Sequence, residues 1–336
     1  MPTVTLGRTG LASGKNAFGA LPIQRTAKEE AVRILREAYE RGFTYYDSAR
    51  GYSDSEEKLG AAFHGMRDKI LIATKTPSKT AEGFWKDLET SLRMLQTDYI
   101  DLYQFHNPAQ FPQPDDGSGL YEAMLEAKKQ GKIRFIGITN HRLPVAEAAV
   151  DSGLYDTLQF PFSYLSDEKD IALVKRCQEK NIGFIAMKAL SGGLIQSAAA
   201  AYAFMLGYEN VLPIWGIQHM REMEEFAAFA ETPPALNEEL EATIQRDRRE
   251  LAGNFCRGCG YCQPCPAGID IPTCARISLL LRRSPAARFL EPDFQRQMAR
   301  IEECRNCGHC INHCPYGLNT PELLRANYED YKTFLR

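Results

Sequence analysis

Over its first 230 residues the chain alternates two patterns. Short apolar runs of β character give way to longer stretches in which apolar positions return every three or four residues. Residues 27–41 show the second pattern: Val32, Leu35 and Ala38 share one helix face, charges occupy the other, and Gly42 stops the helix. Residues 43–46, ending at Asp47, show the first. The pattern then predicts helices over 55–64, 81–95, 120–130, 145–151, 168–179, 198–206 and 221–230. Strands are predicted at 16–19, 70–74, 99–105, 133–139, 157–160, 183–187 and 211–215. Parallel strands need crossover connections, and repeated β–α alternation supplies them. Eight such units in this length predict an α/β fold, a (β/α)8 TIM barrel. An open doubly wound sheet is the alternative, but its glycine-rich fingerprint after the first strand is absent.

Thr232-Pro233-Pro234 ends the alternation. A charged helix over 238–251 leads through Asn254 into a region with a different pattern. Two short helices are predicted there, 272–283 and 292–303, separated by Ser284-Pro285, and a closing helix over 321–335. The predicted organisation is a barrel over 1–232, a linker helix over 233–254 and a small α-helical domain over 255–336.

Composition sharpens this division. Of ten cysteines only Cys177 precedes residue 250, and the other nine lie between Cys256 and Cys314. In a reducing compartment such crowding points to metal rather than disulfides. The chain has 336 residues, 44% hydrophobic and 25% charged, as a folded globular protein does. A formal net charge of −3 without a basic block argues against a nucleic-acid partner. No apolar run approaches the roughly 20 residues of a membrane span. Residues 1–10 lack a signal-peptide core, so a soluble cytoplasmic protein is expected.

The second cysteine run, Cys304-x2-Cys307-x2-Cys310-x3-Cys314-Pro315, has bacterial ferredoxin spacing. The first, Cys256-x2-Cys259-x2-Cys262-x2-Cys265-Pro266, is one residue short in its last gap. In two-cluster ferredoxins the fourth cysteine of each run serves the other cluster. Two [4Fe–4S] clusters are thus expected, one on Cys256, Cys259, Cys262 and Cys314, the other on Cys304, Cys307, Cys310 and Cys265. Two structural zinc sites are the alternative, disfavoured by the triple x2 spacing. Cys274 reads as a small buried apolar residue, and His309 and His313 as neighbours of the ligands.

Barrels of this kind carry their chemistry at the C-terminal strand ends. Asp47, Lys75 and His106 fall there on successive predicted strands, with Tyr52 in the loop after Asp47. Each alone has a plain reading as a cap, an exposed end or a packed ring; together they form an acid–base set. Hydride reduction of a carbonyl needs a proton for the nascent alkoxide. A tyrosine phenol can give it, and a nearby ammonium lowers its ordinary pKa of about 10. Lys75 supplies that charge, Asp47 holds Lys75, and His106 can orient the carbonyl oxygen.

These segments resemble the aldo-keto reductases. The likeness is carried by Asp47-Ser48-Ala49-Arg50-Gly51-Tyr52 with Glu57-Lys58-Leu59-Gly60 after it, by Ala73-Thr74-Lys75, by Leu102-Tyr103-Gln104-Phe105-His106-Asn107-Pro108 and by Leu6-Gly7-Arg8-Thr9-Gly10-Leu11. It covers residues 3–230 and, with the cysteine region, suggests an iron–sulfur subgroup. The resemblance implies a catalytic tetrad of Asp47, Tyr52, Lys75 and His106, and a nicotinamide cofactor, NAD(H) or NADP(H), across the barrel mouth. It implies Thr139, Asn140 and Gln159 around the carboxamide, and Ser191, Gly192 and Gly193 near a phosphate. Met187 stands where many relatives have a tyrosine stacked on nicotinamide, with Lys188 after it. Gly216 and Ile217 replace polar phosphate ligands, Glu222 replaces an arginine, and Phe226 an asparagine beside adenine. A flavin is an alternative cofactor on those grounds. The expected activity is interconversion of a small-molecule carbonyl and alcohol, with clusters exchanging electrons with a partner protein. The alternatives are a two-electron reductase with structural clusters, and a non-catalytic electron-transfer or scaffold protein.

Overall fold

A computed structural model describes residues 2–251, 255–283 and 286–335. Asn254 and Ser284-Pro285, which the sequence marks as a lead-in and a helix break, lie outside the described residues. Packing divides the chain into two units: Met1–Ala189 with Ala199–Leu240, and Leu190–Ala198 with Glu241–Arg336.

In the first unit a hairpin of β1 (Thr3–Thr5) and β2 (Ala12–Gly14) precedes eight parallel strands. They are β3 (Ala17–Gly19), β4 (Tyr45–Asp47), β5 (Leu71–Thr76), β6 (Ile100–His106), β7 (Ile133–Thr139), β8 (Thr157–Pro161), β9 (Gly183–Met187) and β10 (Val211–Gly216). The sheet closes where β10 pairs with β3, Trp215 opposite Phe18. Closure settles the choice between barrel and open sheet.

The helices between strands are α1 (Lys28–Glu40), α2 (Ser55–Phe63), α3 (Ala81–Leu95), α4 (Leu120–Lys129), α5 (Leu143–Ser152), α6 (Glu168–Glu179) and α7 (Ala198–Leu206), with α8 (Met220–Glu231) after β10. Their ends follow local chemistry. The Thr80 hydroxyl accepts from the Gly83 N–H at 3.1 Å to start α3, which turns Phe84, Leu88, Leu92 and Leu95 inward. The Asp167 carboxylate accepts from Lys169 and Asp170 to start α6. The barrel floor is apolar: Val4, Leu6 and Leu11 of the hairpin region pack on Ala17, Tyr45, Ala73, Leu102, Ile185 and Leu212. Each buried Leu there contributes roughly 1.5–3 kcal/mol. The hairpin escapes sequence reading because Thr3-Val4-Thr5 and Ala12-Ser13-Gly14 carry no apolar run.

In the second unit the described residues contain short helices and no strand. After α9 (Glu238–Glu250) come α10 (Ile271–Cys274), α11 (Ile277–Arg283), α12 (Pro292–Ala299), α13 (His309–Asn312) and α14 (Thr320–Thr333). The helix expected over 272–283 is thus two helices, broken at Ala275-Arg276. The one expected over 292–303 ends as a tight 3-10 turn, Arg300–Glu303. α14 ties the unit together. The Tyr331 hydroxyl donates to Phe289 O at 2.6 Å, Asn327 bonds Ser278 N and Ala275 O, and Arg282 pairs with Asp330 through both nitrogens. No described helix is long and apolar enough to cross a membrane.

Candidate active site and metal centre

Strand alternation brings the barrel site together. Tyr45, Ala73, Leu102 and Ile185 face the floor cluster, and residues two further along point to the same interior. Those residues are Asp47, Lys75, Gln104 and Met187, with His106 two beyond Gln104. The Lys75 ammonium donates to Asp47 Oδ1 at 2.6 Å and to Ser48 O at 2.5 Å. Both side chains are essentially shielded from water, at 2% exposure for Asp47 and 1% for Lys75. Burial pushes the Asp47 carboxyl up and the Lys75 amine down from their ordinary values, and each charge opposes the other's shift. Lys75 Nζ lies 5.3 Å from the Tyr52 ring centre. The Tyr52 and His106 rings meet edge to face at 5.8 Å. All four members of the expected tetrad therefore converge. Burial, reinforced by the Lys75 ammonium, lowers His106 from 6.5 to about 3, so its imidazole is neutral near pH 7.

Tyr52 sits on a loop pinned at both ends. Ser48 Oγ donates to Ser55 Oγ at 2.9 Å, Ser55 Oγ donates to Ala20 O, and Arg50 pairs with the buried Glu56. Glu56 also accepts from Thr74 and Ser91.

The residues that the resemblance assigns to the carboxamide lie at the same strand ends. The Gln159 amide is bonded on both sides, accepting from Gln104 at 2.9 Å and donating to Asp47 at 3.4 Å. Asn140 donates to Pro108 O and accepts from Arg142 N. Thr139 Oγ1 accepts from Asn107 N. Gln104, Asn107 and His141 belong to this cluster and were not singled out from sequence. Gln104 could have been: it is polar at an interior position of an otherwise apolar strand. Asn107 turns the chain at φ 53° and accepts from His141 N.

The remaining cofactor positions scatter. Gly216 ends β10. Phe226 is core, stacked on Trp215 at 4.4 Å. Glu222 caps its own helix, accepting from Gln218 N at 2.8 Å and His219 N at 3.0 Å. Ser191, Gly192 and Gly193 group with the second unit, where Arg276 donates to Gly192 O and Arg283 to Leu194 O.

In that unit several cysteines lie close to one another. Cys265, Cys304, Cys307 and Cys310 line one pocket with Pro266, Ile269, Ile271 and His309. Burial raises the Cys256 thiol, and Cys259 and Cys314 add to the rise. Burial, with Cys256 and Cys259 adding to it, pushes Cys262 to about 12. A metal bound there would have to displace these protons. Among the described residues no three His, Cys, Asp or Glu side chains converge on a single-ion site. Cys274 is fully buried, its thiol pushed to about 12 by burial. His309 and His313 stack on each other at 4.2 Å.

A closed parallel barrel with a buried lysine–carboxylate pair, a tyrosine and a neutral histidine at its C-terminal rim defines a (β/α)8 protein with an acid–base site. The aldo/keto reductase family model matches residues 10–203, and the chain belongs to that family. A 4Fe-4S dicluster domain model matches residues 255–318. Curated relatives include L-galactose dehydrogenase of Arabidopsis thaliana, 30% identical over 56% of this chain and 66% of that protein. The aldo-keto reductase YhdN of Bacillus subtilis is 28% identical over 58% and 64%. The chain thus spans slightly under two thirds of the length of these relatives. An aldo-keto reductase of Klebsiella pneumoniae, solved in complex with NADPH, is 25% identical with a TM-score of 0.63, covering 73% of this chain and 94% of that one.

Proposed function

We propose that the protein is an NAD(P)-linked reductase that interconverts a small-molecule carbonyl and its alcohol, and that residues 255–318 carry two [4Fe–4S] clusters exchanging electrons with a partner. The observation that carries the first part is the convergence of Lys75, Asp47, Tyr52 and His106 on one interior face.

Nicotinamide, when bound, supplies the hydride. The chain supplies the rest. The Tyr52 hydroxyl gives its proton to the carbonyl oxygen. The Lys75 ammonium stabilises the phenolate left behind, and Asp47 keeps Lys75 charged within a dry interior. Neutral His106 can donate an N–H to the same oxygen and fix the substrate face. Gln159 and Asn140 would grip the carboxamide by exchanging present partners for it. Nicotinamide is taken over flavin because the Klebsiella relative was solved with NADPH.

For the clusters, the residues present suit the group. Cys265 joins Cys304, Cys307 and Cys310 around one pocket, while Cys314 approaches Cys256. This supports reading the two runs as exchanging fourth ligands, as in two-cluster ferredoxins. Anaerobically purified protein should hold about eight iron and eight sulfide and oxidise NAD(P)H with members of a carbonyl panel. Stoichiometric zinc without sulfide would refute the cluster assignment, and nicotinamide inertness across the panel would refute the reductase assignment.

A further inference from the structure

Arg276 lies in the break between α10 and α11, and its guanidinium rests against two backbone segments. Nη1 donates to Gly192 O at 3.0 Å. A methyl on Gly192 would lie 2.7 Å from Nη1, and one on Gly258 would lie 2.8 Å from Cζ. Both glycines have positive φ, 66° and 61°, which favours glycine there, and a methyl at either would push the guanidinium away. Gly258 sits inside the Cys256-x2-Cys259 turn, and its N–H points to Cys256 Sγ at 3.4 Å. The cation is thus packed on the turn that carries two cysteines of the first set.

We propose that Arg276 sets the reduction potential of the cluster held by Cys256, Cys259, Cys262 and Cys314, and holds the Ser191–Gly193 segment against the same turn. This rests on the iron–sulfur reading above. One-electron reduction by an external donor adds one negative charge to the cluster and its thiolates. A guanidinium keeps its proton throughout. A fixed positive charge beside the ligands stabilises the reduced state more than the oxidised one and raises the potential. Arg276 packs on the first cysteine turn and bonds the 190–198 segment, so the cluster on that turn should respond most. Arg276 acts through the ligands, as a positioning and charge-balancing residue.

The test uses full-length protein reconstituted anaerobically, with iron and sulfide counted. Both clusters are then titrated with dithionite and mediators under electron paramagnetic resonance. Arg276→Gln should retain both clusters and move one midpoint to more negative potential, leaving the other in place. Arg276→Lys should restore most of the shift. Gly258→Ala, which keeps the arginine but displaces it, should move the same midpoint in the same direction. Unchanged midpoints in cluster-loaded Arg276→Gln, with faster hydrogen exchange over residues 190–198, would make Arg276 a mere clamp and overturn the proposal. Wild-type protein without iron and sulfide would instead overturn the cluster reading on which it depends.

Discussion

The barrel unit holds several of its buried charges in compensated groups. Lys75 lies against Asp47, Arg50 against Glu56, and Arg67 with Arg134 against Asp101. Around them stand eight strands in one closed ladder and a wall of large apolar side chains. The unit containing residues 241–336 is built otherwise. Two of its helices, α10 and α13, are four residues long, too short to hold themselves. Among the residues it buries are four cysteines, Cys256, Cys262, Cys274 and Cys310. One region carries its stability in its own packing; the other, on the iron–sulfur reading proposed above, would leave part of its cohesion to a metal.

The harshest way to break this contrast is to remove metal. Chelation under reducing conditions should make residues 255–335 susceptible to protease, while the barrel keeps its circular dichroism and its own thermal transition. A single cooperative loss of both would show that the barrel depends on the clusters. At the barrel site, Tyr52→Phe removes the proton donor and keeps the ring. Turnover of a carbonyl substrate should fall roughly 10²–10⁴-fold with no change in melting temperature. Near-normal turnover would take Tyr52 out of the mechanism.

A gentler probe is acid. His106 ordinarily titrates at 6.5, and the folded barrel holds it at about 3. Between those values the unfolded chain binds the extra proton, so the stability gained from a neutral His106 is complete above about pH 6.5 and is lost as pH falls toward 3. His106→Asn should flatten that part of the stability curve, measured by thermal melts at several pH values; an unaltered slope would show that burial does not control this ring. The smallest effect concerns cofactor choice. Glu222 occupies the backbone N–H groups at the start of α8, a place where a helix end could receive a phosphate. NAD(H) should therefore bind more tightly than NADP(H). Glu222→Gln, keeping the cap but losing the charge, should narrow the gap by about tenfold or less, roughly 1.4 kcal/mol. Tighter NADP(H) binding by the wild type would reverse the inference.

Much of the barrel site was legible because it obeys periodicity. Asp47, Lys75 and His106 each end an apolar strand, so alternation and strand polarity together specify one interior face. The cysteine sets were legible because ligand spacing is local chemistry. What escaped was set by partners far along the chain. Nothing near Ser191 announces that its segment packs with Arg276 and Arg283. Nothing in residues 272–283, which lack an internal glycine, announces the break at Ala275-Arg276. Phe226 reads from sequence as a cofactor position and is, by its stacking on Trp215, part of the wall. Gln104 was overlooked for a different reason: it sits inside the motif that drew attention to His106.

The pairing of β10 with β3 also orders events during synthesis. Residue 17 must wait for residue 214, so the ribosome has to deliver almost the entire first unit before the ladder can shut. Once it has, the barrel can close ahead of the cysteine-rich region that follows it in the chain. One stretch is left behind. Leu190–Ala198 is made early, yet the arginines that bond Gly192 and Leu194 arrive 84 and 89 residues later. The contacts of that stretch with these arginines can form only once the second half has been made.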